Sequence, residues 1–142
     1  MDYEIAAQTD VGTVKRTNQD SIMMKRIFTN LGNMVFAVLC DGMGGLAKGE
    51  LASATVIRAF DKWVNDDLQM ICQNGPGYIK DSVIRAQWES IVANQNQKIK
   101  QYGAGQGVNL GTTVVALLVT DRRYYLMNVG DSRAYLVNDK LI

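Results

Sequence analysis

The sequence predicts an α+β fold, and three features of it carry that prediction. Short, continuous apolar runs at 34–40 and 112–119 read as covered strands. Two stretches with helical periodicity lie between them, and further strand patterns precede the first run and follow the second.

Tyr3 to Thr9 and Ser21 to Phe28 are the weaker strand candidates at the N-terminal side. Met34 to Cys40 (MVFAVLC) is apolar throughout, as expected of a strand covered on both faces. It runs into Asp41-Gly42-Met43-Gly44-Gly45, which reads as a turn. After Gly49 the apolar residues Ala52, Val56, Ala59, Phe60 and Trp63 recur at helical spacing and make one face. Gly75-Pro76 breaks the chain and suits the approach to a new helix, whose face is Ile84, Trp88, Ile91, Ile99 and Tyr102. Gly103 to Gly107 reads as a glycine-rich loop. Thr112 to Val119 then forms a strand, Thr120 to Arg123 a turn, and Tyr124 to Val129 an antiparallel return. Ser132 to Val137 reads as a third strand, with Asn138-Asp139-Lys140 turning out of it. Leu141-Ile142 is either the opening of another strand or a frayed end, and the residues alone leave that open. Without a linker or repeat, residues 1–142 are expected to be one domain or part of one.

Bulk properties exclude several function classes. With 47% hydrophobic and 20% charged residues the chain has material for a core, so disorder is not expected. A net charge of +1 gives no footprint for nucleic acid or a membrane surface. No apolar run approaches the roughly 18 residues of a membrane span, and Met1 to Asp10 does not read as a signal peptide. Two cysteines, Cys40 and Cys72, suit a reduced cytoplasmic setting better than a disulfide framework. The chain has no histidine, which rules out a Ser-His-Asp triad, a Cys-His pair and imidazole zinc sites. Chemistry here must run on carboxylates, lysines, cysteines or a hard metal ion.

Asp41 is the first candidate. A carboxylate leaving a buried strand ahead of glycines sets charge where backbone carbonyls also approach an ion, as Mg²⁺ and Mn²⁺ require. A lone Asp-Gly is more often a plain capped turn. Rival glycine-loop motifs fail on the same residues. Gly42, Gly44 and Ala47 match a dinucleotide fingerprint, but Asp41 would repel the pyrophosphate, and Asp61 lies in a helical pattern rather than at a strand end. Glu50-Leu51 replaces the Lys-Ser/Thr of a P-loop, and neither cysteine has an arginine six positions on.

Three further segments matter together: Lys15-Arg16-Thr17-Asn18-Gln19-Asp20, Gly111-Thr112-Thr113 and Gly130-Asp131-Ser132-Arg133. Each alone would pass as a solvated turn or a sheet-edge ion pair worth little. In this order, with Leu39 to Gly45 followed by Gly49-Glu50 and Ala52-Ser53, with Asn18 to Ser21, and with Asn128 to Tyr135, they resemble the PP2C (PPM) family of metal-dependent protein serine/threonine phosphatases. The resemblance covers essentially the whole chain and corresponds to the family's N-terminal half.

That resemblance implies an antiparallel β-sandwich flanked by helices, and hydrolysis of phosphoserine and phosphothreonine in proteins with two Mn²⁺ or Mg²⁺ ions. Carried over by position, Asp41 bridges the metals, Gly42 offers its carbonyl to one, and Asp20 holds water on an ion, which makes Asp41 and Asp20 the catalytic candidates. Thr113 and Asp131 support the centre. Lys15 stands where many relatives carry arginine, so phosphate contact falls to Lys15 or Arg16. The family's later metal aspartates have no counterpart in Gly103 to Ile142, so the domain is expected to be truncated after about its first half and weak as a catalyst. The alternative is a non-catalytic binding or assembly module. The expected partners are a phosphorylated protein substrate and a second copy of the chain, joined as a homodimer through sheet edges or faces left open.

Overall fold

A computed structural model describes residues 3–9, 18–44 and 48–138. The elements are β1 (Asp20–Thr29), β2 (Gly32–Gly44), α1 (Gly49–Lys62), a π-helical turn (Trp63–Asp67), α2 (Leu68–Asn74), α3 (Asp81–Gln106), β3 (Leu110–Thr112), β4 (Val114–Val119) and β5 (Tyr124–Val129). The strands form one antiparallel sheet in the order β1-β2-β4-β5, with β3 paired to the far end of β2. This is the α+β arrangement expected from the sequence.

The period-2 alternation of the strands gives the sheet two distinct faces. Met34, Phe36, Val38 and Cys40 of β2 are buried, and so are their neighbours Ile27 of β1 and Ala116 and Leu118 of β4. They join Ala52, Val56, Phe60, Trp63, Leu68, Ile84 and Trp88 in one core, so the helices cover this face. Phe36, Phe60, Trp63 and Trp88 meet there with ring centroids 5.6–6.0 Å apart, mostly tilted or edge-on as the ring quadrupole favours. The wide turn at Trp63–Asp67 turns two successive residues, Trp63 and Val64, inward and resets the phase so that Leu68 and Cys72 continue the buried stripe. Trp63 Nε1 donates to Gln87 Oε1 at 2.6 Å, tying that turn to α3. An ion pair between Lys25 and Asp61 ties β1 to α1.

The opposite face carries Ile22, Leu39 and Leu126, which are 37–47% exposed. It is an apolar face that no described helix covers.

Five expectations are corrected. Of the turn expected at Asp41 to Gly45, Asp41 to Gly44 is instead the end of β2, because Asp41 pairs with Asp20 of β1 and β3 pairs with Gly42, Met43 and Gly44, while Gly45 lies outside the described residues. Gly103 to Gly107 is not a loop. α3 runs through Gln106 and ends at Gly107 in the left-handed conformation, and Gly103 serves as a contact point within the helix, since Leu110 and the Val108 carbonyl lie 2.6 Å from where its Cβ would stand. The strand expected at Thr112 to Val119 is interrupted at Thr113, dividing β3 from β4. Tyr3 to Thr9 and Ser132 to Val137 are not strands, since a strand exists only where a neighbour completes the ladder and neither segment has one among the described residues. Gly130, at φ 108°, turns the chain away from the sheet before residue 132. The turn expected at Asn138-Asp139-Lys140 and the pair Leu141-Ile142 lie outside the described residues, apart from Asn138.

Phe36 is fully buried and touches three other rings. Phe36→Ala is therefore expected to destabilise the fold by about 3–5 kcal/mol, read as a lowered urea midpoint with an unchanged slope. A shift below about 1 kcal/mol would show that the aromatic cluster can close the hole.

Candidate metal centre

Antiparallel register fixes the site. Asp20 of β1 lies directly opposite Asp41 of β2, and the β2–β4 register extended beyond Leu39 and Val115 brings Thr113 opposite Asp41 on the other side. The β4–β5 register extended likewise brings Gly130 opposite Thr113. Asp20, Asp41, Thr113 and Gly130 thus form one row across the sheet. By parity, Asp20 shares its face with Ile22 and Asp41 shares its face with Leu39, so both carboxylates sit at the end of the open apolar face.

Hydrogen bonds grip this row from two sides. Asp41 N–H donates to Thr113 Oγ1 at 3.1 Å, and Thr113 N–H donates to the Asp41 carbonyl at 3.0 Å. Gly42 N–H donates to the Gln19 carbonyl at 3.1 Å. Ser53 Oγ of α1 donates to the same carbonyl at 2.8 Å and lies 3.0 Å from Ser21 Oγ. Asp20 N–H donates to Asn18 Oδ1 at 3.0 Å in an Asx-type turn that leads the chain into β1.

Glycines make this closeness possible. A Cβ at Gly42 would stand 2.1 Å from the Gly49 carbonyl oxygen, and one at Gly49 would stand 2.3 Å from Gln19 Oε1. The first turn of α1 therefore rests against the backbone of β2. The glycines that suggested a turn serve a helix–strand contact instead.

Opposed carboxylates in a sheet repel one another, with Cβ atoms about 5 Å apart. A divalent cation shared between them turns that repulsion into attraction. Carboxylate oxygens beside a backbone carbonyl are the donors Mg²⁺ and Mn²⁺ accept, and Mg²⁺ is commonly held by one or two carboxylates with water completing its shell. The donor set fits one such ion. No cluster of three or more acidic, cysteine or histidine side chains fit for a metal occurs among the described residues.

The other expected residues fare unevenly. Lys15 and Arg16 lie outside the described residues. Asp131 is exposed in the turn after β5, and it is Ser132 that reaches the row, with its Oγ 2.8 Å from Thr113 Oγ1. Burial raises the Cys40 thiol to about 12, so this neighbour of Asp41 is no nucleophile. Gln19, Ser53 and Ser132 were not singled out for roles from sequence, although all three stand inside segments that had been flagged. Two open clefts of about 710 and 950 Å³ surround Asp81, Arg122, Arg123 and Tyr125 at the other end of the sheet, so cavity size does not mark this site.

The chain is similar to known proteins in both sequence and fold. A family model described as protein phosphatase 2C matches residues 12–140. A putative protein phosphatase 2C-type protein of Streptococcus pyogenes is 31% identical over 138 residues, covering 96% of this chain and 51% of that protein. Serine/threonine protein phosphatase PstP of Mycobacterium tuberculosis is 35% identical over 135 residues, covering 94% of this chain and 23% of that protein. The crystal structure of the PstP catalytic domain in complex with two manganese ions superposes with a TM-score of 0.70 at 31% identity, over 94% of this chain and 50% of that one. The chain spans about half the length, or less, of the curated relatives it matches.

Gly42→Ala should force the β2 backbone off α1 and cost about 1–3 kcal/mol or more. Gly105→Ala meets nothing within 4 Å in a helix and should be neutral or stabilising. Equal denaturation midpoints for the two variants would refute the close contact.

Proposed function

The chain belongs to the protein phosphatase 2C family, and on that premise we propose that it supplies the Asp41-centred part of the metal site of a protein serine/threonine phosphatase. The observation that carries the reading is the register of Asp20 against Asp41, which brings two carboxylates together at the end of a rigid strand pair. In this reading the Asp41 carboxylate and the Gly42 carbonyl hold Mn²⁺ or Mg²⁺, and Asp20 orients water in the same site. When bound, the ion supplies an activated water and neutralises charge on the phosphoryl oxygens. Lys15 and Arg16 contact the substrate phosphate as point charge or fork. Asp131 adds negative potential at the rim, and Thr113 fixes the Asp41 backbone. The substrate is a protein carrying phosphoserine or phosphothreonine, in keeping with the relatives' names.

Two carboxylates are few for a two-ion centre, so residues 1–142 alone are proposed to form a single domain that binds metal and turns over slowly. A non-catalytic binding module is the limiting case of the same site. Cys40 and Cys72, both free and buried, suit a reducing, cytoplasmic compartment.

The open apolar face supports one further part of the reading, a homodimer in which each copy covers the Ile22, Leu39 and Leu126 surface of the other. Light scattering across a tenfold concentration range should give twice the chain mass. A constant monomer mass would remove the dimer and leave the metal site untouched.

Asp41→Asn keeps the shape and removes the charge, so Mn²⁺ affinity by calorimetry should fall more than about tenfold. Equal affinity in both proteins would overturn the assignment. Hydrolysis of p-nitrophenyl phosphate with Mn²⁺ by residues 1–142 should be far slower than by a full-length relative. Comparable turnover per mole would mean that these two carboxylates suffice.

A further inference from the structure

We infer that Ser132 is a positioning residue for Asp41, acting through Thr113, an inference that rests on Asp41 as the metal ligand. Among the described residues two polar side chains are buried, Ser53 and Thr113. Each grips one of the two carboxylate-bearing strand ends: Ser53 holds the residue before Asp20, and Thr113 holds Asp41 itself. A buried hydroxyl is costly unless its bonds are made. Thr113 Oγ1, 3% exposed, accepts from the Asp41 N–H and meets Ser132 Oγ at 2.8 Å.

The segment carrying Ser132 is fastened for that purpose. Asn128 Nδ2 donates to the Ser132 carbonyl at 2.8 Å, closing the turn after β5. Gly130 takes φ 108°, and a Cβ there would stand 2.7 Å from Thr113 Cγ2. The turn therefore lies directly on Thr113, and a glycine is needed for it to do so. The Ser132 hydroxyl, the Thr113 hydroxyl and the Asp41 N–H form a continuous hydrogen-bonded chain, and the Asn128 bond fixes the backbone that carries its first member. Each bond in such a chain polarises the next. Either hydroxyl can donate in the Ser132–Thr113 bond, and in both arrangements the bond holds Thr113 Oγ1 in place with a lone pair left for the Asp41 N–H. Asp131 and Arg133, on either side, are exposed and point to no such task. The serine is the working member of the Gly130-Asp131-Ser132-Arg133 segment toward Asp41.

The test combines a metal-free measurement with a metal titration. In metal-free protein, Ser132→Ala should move the Asp41 amide resonance. It should also lower Mn²⁺ affinity by about three- to tenfold, less than loss of a direct ligand. Thr113→Val should have a larger effect, and adding Ser132→Ala to it should change nothing more, because the chain is already cut. Thr113→Ser and Ser132→Thr keep the hydroxyls and should restore both signals. If Ser132→Ala does not fold, the isosteric pair Ser132→Thr and Ser132→Val makes the same comparison. An unmoved Asp41 amide with parental affinity, or additive effects in the double variant, overturns the inference. Should Asp41→Asn leave Mn²⁺ affinity intact, the metal reading fails, and the amide shift in the metal-free protein alone decides whether Ser132 positions Asp41.

Discussion

The contact between Gly42 and Gly49 is the constraint on which the site depends. With no side chain at either position, the end of β2 lies against the first turn of α1 closely enough that a single Cβ would collide with backbone. That approach brings Ser53, one turn into α1, to the Gln19 carbonyl, which also receives the Gly42 N–H. Strand end, helix start and the entry to β1 are thus locked at one point. Asp20 and Asp41 sit on either side of it, held by backbone rather than by their own flexible side chains. Carboxylates so fixed would lose little freedom on binding an ion.

The sheet separates two tasks between its faces. One face is given to stability: Phe36 in β2 is surrounded by Phe60, Trp63 and Trp88 from the helices, and the ladder transmits that packing to every residue of the strand. The other face leaves Ile22, Leu39 and Leu126 exposed and ends in the carboxylate row. The carboxylates therefore ride on strands anchored by a core they do not enter. This arrangement lets charged groups be rigid without being buried, and so avoids the desolvation that a buried carboxylate suffers.

The row also explains why the family signature is scattered along the sequence. Asn18 to Ser21, Leu39 to Gly44, Gly111 to Thr113 and Asn128 to Arg133 are up to about a hundred positions apart, yet they are adjacent across neighbouring strands. Each segment ends or begins its strand at the same end of the sheet. A hydrogen-bonded path leads from the Ser132 hydroxyl through Thr113 to the Asp41 backbone in two bonds.

The sequence by itself determined the elements whose signals are local. The apolar run Met34 to Cys40, the stripe of Ala52, Val56, Phe60 and Trp63, and the Tyr124 to Val129 return were legible because periodicity and turn chemistry are properties of neighbouring residues. Asp41 was legible because its flanking residues form a motif. Tertiary structure decided what depends on distant partners. Residues 42–44 became strand because β3 arrives to pair with them, and Gly103 marks a helix position where Leu110 and Val108 come too close for a side chain. Tyr3 to Thr9 and Ser132 to Val137 remained irregular because no neighbour completes their ladders among the described residues. Ser132 itself gave no signal of its own, since its contact with Thr113 spans 19 positions. A strand's hydrogen bonds, unlike a helix's, belong to another part of the chain, so sequence pattern proposes strands and register alone disposes of them.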